Sequence, residues 1–214
     1  MRLSGYLLLF FSLCPSARAQ PASFHLESGV ATGQPFYQCG YGTVGSITSK
    51  VALSFKIGAT FPIKPSLQLN SGIRYTPFSC KATLVALYND QIGIASGTQQ
   101  TKQHLLAIPL HLKIALGRGY LLYGPDIVLL AHARQMNTWE EWTTFQSASS
   151  NRNRDFARLN VMFSLGAGLE FRLHTQTVYV QLLISRVAYS YNENKRAYVS
   201  GYQQELYLSM GIRL

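Results

Sequence analysis

Strict alternation of apolar and polar residues is the feature of this sequence that most limits what it can fold into. In residues 158–172 ("RLNVMFSLGAGLEFR"), an apolar residue occupies every second position from Leu159 to Phe171. Residues with this period of two lie on opposite faces of an extended strand, whereas an amphipathic helix has a period near 3.6. The segment is also longer than the roughly 5–6 residues usual for a strand of a soluble protein. The pattern predicts a sheet built from long strands.

Eight segments carry this alternation, and the connections between them vary in length in a regular way. The segments are 24–30, 51–61, 66–76, 104–116, 120–134, 158–172, 178–191 and 203–214. Short connections near 62–65, 117–119 and 174–177 alternate along the chain with long ones, at about 32–49, 79–102, 135–157 and 191–201. In an up-and-down meander this rhythm places all long loops at one end. We expect an all-β, eight-stranded antiparallel barrel, formed by one domain over 20–214.

Pro109 lies in the middle of the segment 104–116 ("HLLAIPLHLKIAL") and bears directly on the strand assignment. Inside a helix it would cost about 3 kcal/mol, because its ring clashes with the preceding turn and it has no N–H to donate. In a closed barrel it removes one ladder hydrogen bond, and there is no sheet edge to absorb the loss. We therefore predict a local gap in the ladder at Pro109. In the segment 178–191, Arg186 falls on the apolar face, which predicts either a bulge or a side chain that reaches the membrane interface.

The N-terminal residues have the layout of a cleaved signal peptide. Arg2 precedes the apolar run 6–14, and "ARA" at 17–19 supplies the small residues that signal peptidase accepts. The run is much shorter than the roughly 20 residues that cross a bilayer as a helix. We expect residues 1–19 to be removed near Ala19 and the mature chain to be exported. Loss of Arg2 and Arg18 lowers the formal net charge from +10 to +8, an excess that favours anionic lipid or glycolipid neighbours over nucleic acid, and ordinary solubilising charge explains it equally well.

Two kinds of barrel have strands of this pattern, and the positions of the charges separate them. A soluble, lipocalin-like barrel turns its apolar residues inward around a ligand, whereas an outer-membrane barrel turns them outward to lipid. Charged residues recur on the polar faces, where a narrow lumen would let them pair: Glu27, Lys56, Arg74, Lys113, Asp126, Arg158, Glu170, Arg172, Glu205 and Arg213. The sequence therefore favours a transmembrane barrel without an open pore and keeps the lipocalin-like barrel as the alternative.

The lengths of the apolar faces and the positions of the aromatic residues point the same way. The apolar faces match the roughly 9–11 residues of a tilted membrane-spanning strand. Aromatic residues near the strand ends are predicted to form girdles at the two membrane interfaces: Tyr75, Phe78, Tyr120, Tyr123, Phe171, Tyr189, Tyr191, Tyr198 and Tyr202.

Four segments together resemble a known family. "LLAIPLHLKIAL", "YLLYGPDIVLLA", "LNVMFSLGAGLEF" and the C-terminal "LYLSMGIRL" are similar, in this order, to motifs of the PorT-like outer-membrane β-barrel proteins of the Bacteroidetes type. The resemblance covers 20–214 and implies an integral barrel of the bacterial outer membrane, in a family with some members tied to protein secretion or gliding. Leu214 departs from the aromatic residue with which such barrels commonly end.

The sequence offers few candidates for binding. Cys39 and Cys80 fall in the first two long connections, at one end of the predicted barrel, and either form a disulfide or remain two thiols. Arg152, Arg154 and Arg158 are the candidates for pairing with glycolipid phosphates, against the alternative of a solvated loop without a ligand.

Catalysis has weaker support. Asp126, His132 and the serines of 146–150 contain the residue types of a lipid-modifying hydrolase or acyltransferase, but no nucleophile motif is present. His132 is better explained as a hydrogen-bonding residue of the lumen. Cys and His do not occur at metal-ligand spacing. We expect no enzyme activity, no cofactor and no metal. The expected partners are outer-membrane lipid and lipopolysaccharide, and an envelope or secretion protein, with the barrel itself a monomer that binds no nucleic acid.

Overall fold

The structure, a computed structural model, describes residues 22–33, 43–87, 94–140, 145–150, 159–191 and 204–214. These residues form strands β1 (Ser23–Gly33), β2 (Thr43–Ser49), β3 (Ala52–Lys64), β4 (Leu67–Leu87), β5 (Ile94–Leu116), β6 (Gly119–Glu140), β7 (Phe145–Ser150), β8 (Leu159–Leu173), β9 (Gln176–Tyr191) and β10 (Gln204–Arg213). Within these ranges, no helix has the length and apolar character needed to cross a membrane.

The strands close into a ring of eight. Antiparallel pairing runs from β1 through β3, β4, β5, β6, β8, β9 and β10, and β10 pairs back to β1. β2 and β7 are extensions of this ring, because β2 pairs with β4 beyond the end of β3 and β7 pairs with β6 beyond the end of β8. The predicted fold class, an eight-stranded antiparallel up-and-down barrel, is confirmed.

Tight turns lie at one end of the barrel. They join β3 to β4, β5 to β6 and β8 to β9, and Gly117 (φ 67°) and His174 (φ 55°) supply the left-handed conformation in two of them. The start of β1 and the end of β10 also meet at this end of the barrel, where the Leu214 N–H donates to the Phe24 carbonyl. At the opposite end β4, β5 and β6 reach 21, 23 and 22 residues. Much of the predicted long connections 79–102 and 135–157 is therefore strand.

The two faces of the wall differ sharply in polarity. The outward side chains are mainly large and apolar, and they include Phe24, Leu26, Leu53, Phe55, Ile57, Ile73, Leu106, Leu110, Leu112, Ile114, Leu116, Leu121, Leu165, Leu169, Leu182, Ile184, Leu208 and Met210. Buried polar and charged side chains alternate with them and point into the lumen. The interior of an eight-stranded barrel is just wide enough for such side chains to fill it.

The ladder is interrupted around Pro109, as its missing N–H predicts. Between β4 and β5 the pairing passes from Ser71–Leu110 directly to Arg74–Ala107, which leaves Ile108 and Pro109 without a partner on β4. On the other side of β5 the next two residues are skipped, between Pro109–Asp126 and Leu112–Tyr123. The predicted gap is confirmed.

A one-residue bulge overturns one face assignment. β6 has an extra residue opposite β5, because His104 pairs with His132 while Leu105 pairs with Leu130. The shift reverses the faces beyond that point, so His132 is exposed on the outer wall and does not line the lumen.

Two aromatic residues also lie on the other face from the one predicted. Phe78 and Tyr120 are 5% and 4% exposed and point inward, so they are not girdle residues. Tyr75, Tyr123 and Phe171 face outward as expected, but Tyr123 pairs with Leu112 in the middle of the aliphatic stretch of β5 and so is not at a girdle level. The side chains of the remaining girdle candidates fall outside the described part of the chain.

Arg186 is exposed on the outer wall of β9. The nearby bulge lies further along, since Val187 pairs with Met162 and Tyr189 with Val161. The alternative in which Arg186 reaches outward is the one observed.

Glycines in the lumen make room for aromatic rings from neighbouring strands. A Cβ at Gly168 would lie 2.3 Å from Cζ of Tyr120, and one at Gly211 would lie 2.2 Å from Cζ of Tyr179. Both rings therefore lie directly against a backbone that has no side chain, an arrangement that covers strand glycines in barrels.

Substitution of Gly211 by alanine should lower the free energy of unfolding by about 1–3 kcal/mol, because the new methyl group overpacks the lumen against Tyr179. Gly119→Ala is the matched control, since a Cβ there meets its nearest atom at 3.6 Å. Urea unfolding in lipid vesicles measures both. Equal losses for the two variants would show that the ring contact is not the cause.

Candidate functional site: a charged lumen inside an apolar wall

Opposite charges balance inside the barrel. The described lumen holds four acidic residues, Glu27, Asp126, Glu170 and Glu205, and four basic ones, Lys56, Arg74, Lys113 and Arg213, all of them in ion pairs. Six of these eight are at most 4% exposed; Glu170 and Arg213 are partly exposed near the tight-turn end. Buried charges are tolerated when they are paired and hydrogen-bonded, and the four acidic and four basic side chains balance in number.

Glu27 is the centre of the most completely bonded group. Its carboxylate lies 3.5 Å from Lys56 Nζ and accepts hydrogen bonds from the Tyr179 hydroxyl (3.0 Å), the Gln181 amide (2.8 Å) and the Ser209 hydroxyl (2.7 Å). The four partners come from β3 and β10, which flank β1 in the ring, and from β9, which lies beyond β10. Glu27 therefore ties together the wall where the barrel closes.

Arg74 is the centre of a second group, which has more charged members than the Glu27 group but fewer hydrogen bonds. Its Nη2 atom lies 3.5 Å from both Glu205 Oε2 and Asp126 Oδ2. Its guanidinium also lies over the Tyr207 ring, 4.9 Å from the centroid, an arrangement that favours a cation. Since β4, β6 and β10 supply these groups, one cation connects carboxylates from two distant parts of the ring.

A third group closes the lumen near the tight turns. Glu170 contacts Lys113 Nζ and lies 2.5 Å from Arg213 Nη2. Lys113 Nζ also lies 4.2 Å from the centroid of the Tyr120 ring, and the Tyr120 hydroxyl donates to Gln181. This last bond connects the third group to the Glu27 group.

Asp126, His111 and Ser164 are the residue types of a hydrolase, but their arrangement does not activate a nucleophile. His111 Nε2 lies 2.9 Å from Asp126 Oδ1, while the Ser164 hydroxyl donates to Asp126 Oδ2 at 2.5 Å. The serine hydroxyl therefore donates its hydrogen bond to the carboxylate and has no imidazole as its base. All three are at most 1% exposed, which keeps substrate away from them.

Two of the residues considered for catalysis from the sequence, Asp126 and His132, are not brought together, and the side chains of the serines in 146–150 fall outside the described part of the chain. Asp126 points into the lumen, whereas His132 is exposed on the outer wall. A wall of β-sheet separates the two side chains. Among the described residues, no group of His, Cys, Asp or Glu side chains is arranged to hold a metal ion.

The other predicted site residues have different positions. Arg172 is the second-last residue of β8, beside the tight turn, and its side chain is exposed. It therefore lies outside the ion-paired lumen. Cys80 is buried in β4. Cys39 and the arginines 152, 154 and 158, together with the proposed signal peptide, lie outside the described residues, so the disulfide, the loop glycolipid site and the cleavage site stay predictions.

Sequence reasoning missed a row of cations on the outer wall, because it assigned Lys81 and Lys102 to a loop and Arg134 to the polar face of a strand. Lys81, Lys102 and Arg134 lie on the long extensions of β4, β5 and β6 and are exposed. Lys50, also exposed, donates its backbone N–H to Ser79 beside them. We call these four residues the cationic row. The Thr-rich and Gln-rich stretch 98–103 was the available signal for strand, since such residues pair well in sheets outside lipid.

Comparison with known proteins identifies no family. The sequence matches no protein-family model. It also matches no curated protein. The structure is similar to solved outer-membrane barrels: Neisserial surface protein A (9% identity, TM-score 0.36, 91% of this chain and 99% of that one), Ail of Yersinia pestis (11%, 0.31, 90% and 97%) and OprG of Pseudomonas aeruginosa (13%, 0.34, 92% and 97%). The assignment as a small barrel of the outer-membrane type rests on the closed pairing and on the polar lumen inside an apolar wall.

Proposed function

We propose that the protein is a monomeric integral barrel of the bacterial outer membrane, of PorT-like type, with a structural or interaction role and no enzyme activity. One observation carries the proposal: paired charges fill the inside, while exposed aliphatic side chains cover the outside. Such an exterior is stable only when lipid covers it. A lipocalin-like protein needs the opposite arrangement, with an apolar interior that can hold its ligand.

The long-connection end is the one we assign to the cell exterior. Outer-membrane barrels have short turns on the periplasmic side and long loops outside. Here the tight turns lie at the same end of the barrel as the start of β1 and the end of β10. The extended strands β4, β5 and β6 then project beyond the membrane. They would present the long connections to an envelope or secretion partner, in keeping with the resemblance to PorT-like proteins.

Fractionation and gel mobility test the membrane assignment. The protein expressed with its own N-terminus should sediment with the outer membrane, and it should migrate differently on SDS gels before and after boiling, because the closed barrel resists SDS until heated. A soluble periplasmic protein that binds fatty acid would overturn the assignment. An expressing strain with altered phospholipid or glycolipid acylation would overturn the non-enzymatic part alone.

A further inference from the structure

The aliphatic belt ends abruptly at one level on strands β4 to β6. On β5 the outward residues from Leu116 to Leu106 are all Leu or Ile, and the next outward residue is His104. His104 pairs with His132 across the strands, and its ring lies 5.8 Å from the His132 ring. Its Nδ1 atom is 2.5 Å from the Tyr75 hydroxyl. A Tyr and two His side chains form a polar border where the hydrocarbon of a bilayer would give way to headgroups.

The cationic row begins one step above this border. Lys102 pairs directly with Arg134, and it pairs on its other side with Ser79. Lys81 lies two residues beyond Ser79, diagonal to Lys102, and Lys50 is bonded through its backbone to Ser79. With strands about 4.8 Å apart, four cations extend over roughly 14 Å of the wall.

Among the residues whose side chains the structure describes, no acidic one lies beside these cations on the outer wall. Every acidic residue whose side chain the structure describes points into the lumen and is paired there. Like charges on neighbouring strands repel one another unless an anion lies between them. The row therefore has the electrostatics of an anion site at the level of lipid headgroups.

An apolar groove leads toward the border from below. It has a volume of about 610 Å³ and runs along β3 and β4, from Phe61 up to Phe55 and Tyr75. Its floor consists of small residues, Ala59, Ser71 and Gly72, and aromatic rings flank it. An apolar groove that faces lipid and ends at Tyr75 fits one acyl chain whose headgroup lies above.

We infer that this face of the barrel binds one glycolipid that carries more than one phosphate, with its phosphates on Lys81, Lys102 and Arg134 and one acyl chain in the groove. The inference rests on the proposed membrane function and deepens it. A row of four cations exceeds what the single phosphate of a phospholipid engages, whereas phosphates on separate sugars match its breadth.

Lipid binding to purified protein tests the inference. The triple variant Lys81→Gln/Lys102→Gln/Arg134→Gln should bind diphosphorylated lipid A roughly tenfold more weakly than the parent protein. The matched control is Lys64→Gln/Arg118→Gln/Arg172→Gln, which removes three exposed cations from the tight-turn end and should bind like the parent. Added lipid A in detergent micelles, followed by native mass spectrometry, gives the bound fraction.

Further measurements test which part of the lipid is recognised and whether each variant is folded. Lipid A without phosphates should bind the parent as weakly as intact lipid A binds the triple variant, and phosphatidylglycerol should bind parent and variant alike. Equal lipid A binding by parent and triple variant, or equal loss in the control, would overturn the inference. All variants should keep their gel mobility shift on boiling; a parent protein without that shift would instead contradict the membrane function.

Discussion

Replacement of Arg74 by methionine is expected to lower the free energy of unfolding by about 3–5 kcal/mol, one of the largest losses from any single substitution in the barrel. Asp126 and Glu205 are 0% and 2% exposed, and each has a carboxylate oxygen 3.5 Å from the Arg74 guanidinium. Without the cation, two carboxylates remain close together away from water. Urea unfolding in lipid vesicles, followed by the loss of the unboiled gel mobility, measures the effect.

Two further variants separate the charge effect from lost packing. Arg74→Met combined with Glu205→Gln should recover part of the stability, because it removes one of the uncompensated charges. Arg172→Met, at an exposed position outside the network, should change stability by less than about 0.5 kcal/mol. A loss below about 1 kcal/mol for Arg74→Met would show that water or another cation reaches the two carboxylates.

Most of the wall could be predicted from the sequence, because a period of two in hydropathy fixes which side chains share a face. The inward positions of Glu27, Lys56 and Arg74 follow from parity along single strands. The gap in the ladder at Pro109 could likewise be predicted, since the missing N–H is a local property of the residue. Features decided within one strand were accessible to sequence reasoning.

Features decided between strands were not accessible. The bulge between β5 and β6 reverses the faces for every later residue, and nothing in the composition of 130–132 marks it. His132 was therefore assigned to the wrong side of the wall. The pairing that extends β4 and β5 beyond lipid also escaped prediction, because polar strands above a membrane lack the apolar alternation on which the assignment depended. The cationic row appears only once Lys81, Lys102 and Arg134 are brought to adjacent strands.

The apolar wall carries the second large expected effect. Leu112 faces outward near the middle of the aliphatic stretch of β5, between Leu69 and Tyr123 on the neighbouring strands. Leu112→Arg should lower the free energy of unfolding in lipid vesicles by about 2–4 kcal/mol, because a cation at the bilayer midplane loses its hydration. Equilibrium unfolding in urea from vesicles of fixed lipid composition measures the change.

The dependence on depth makes this prediction specific to a membrane. Leu116→Arg introduces the same charge on the same strand and face, next to the tight turn and Arg118, where the side chain can reach water, so it should cost only about 0–1 kcal/mol. A soluble barrel would tolerate both substitutions equally, since both leucines would be in contact with water. Equal stabilities for the two variants would therefore contradict the assignment of the aliphatic wall to lipid, whereas a gradient from Leu112 to Leu116 would locate the membrane on the barrel.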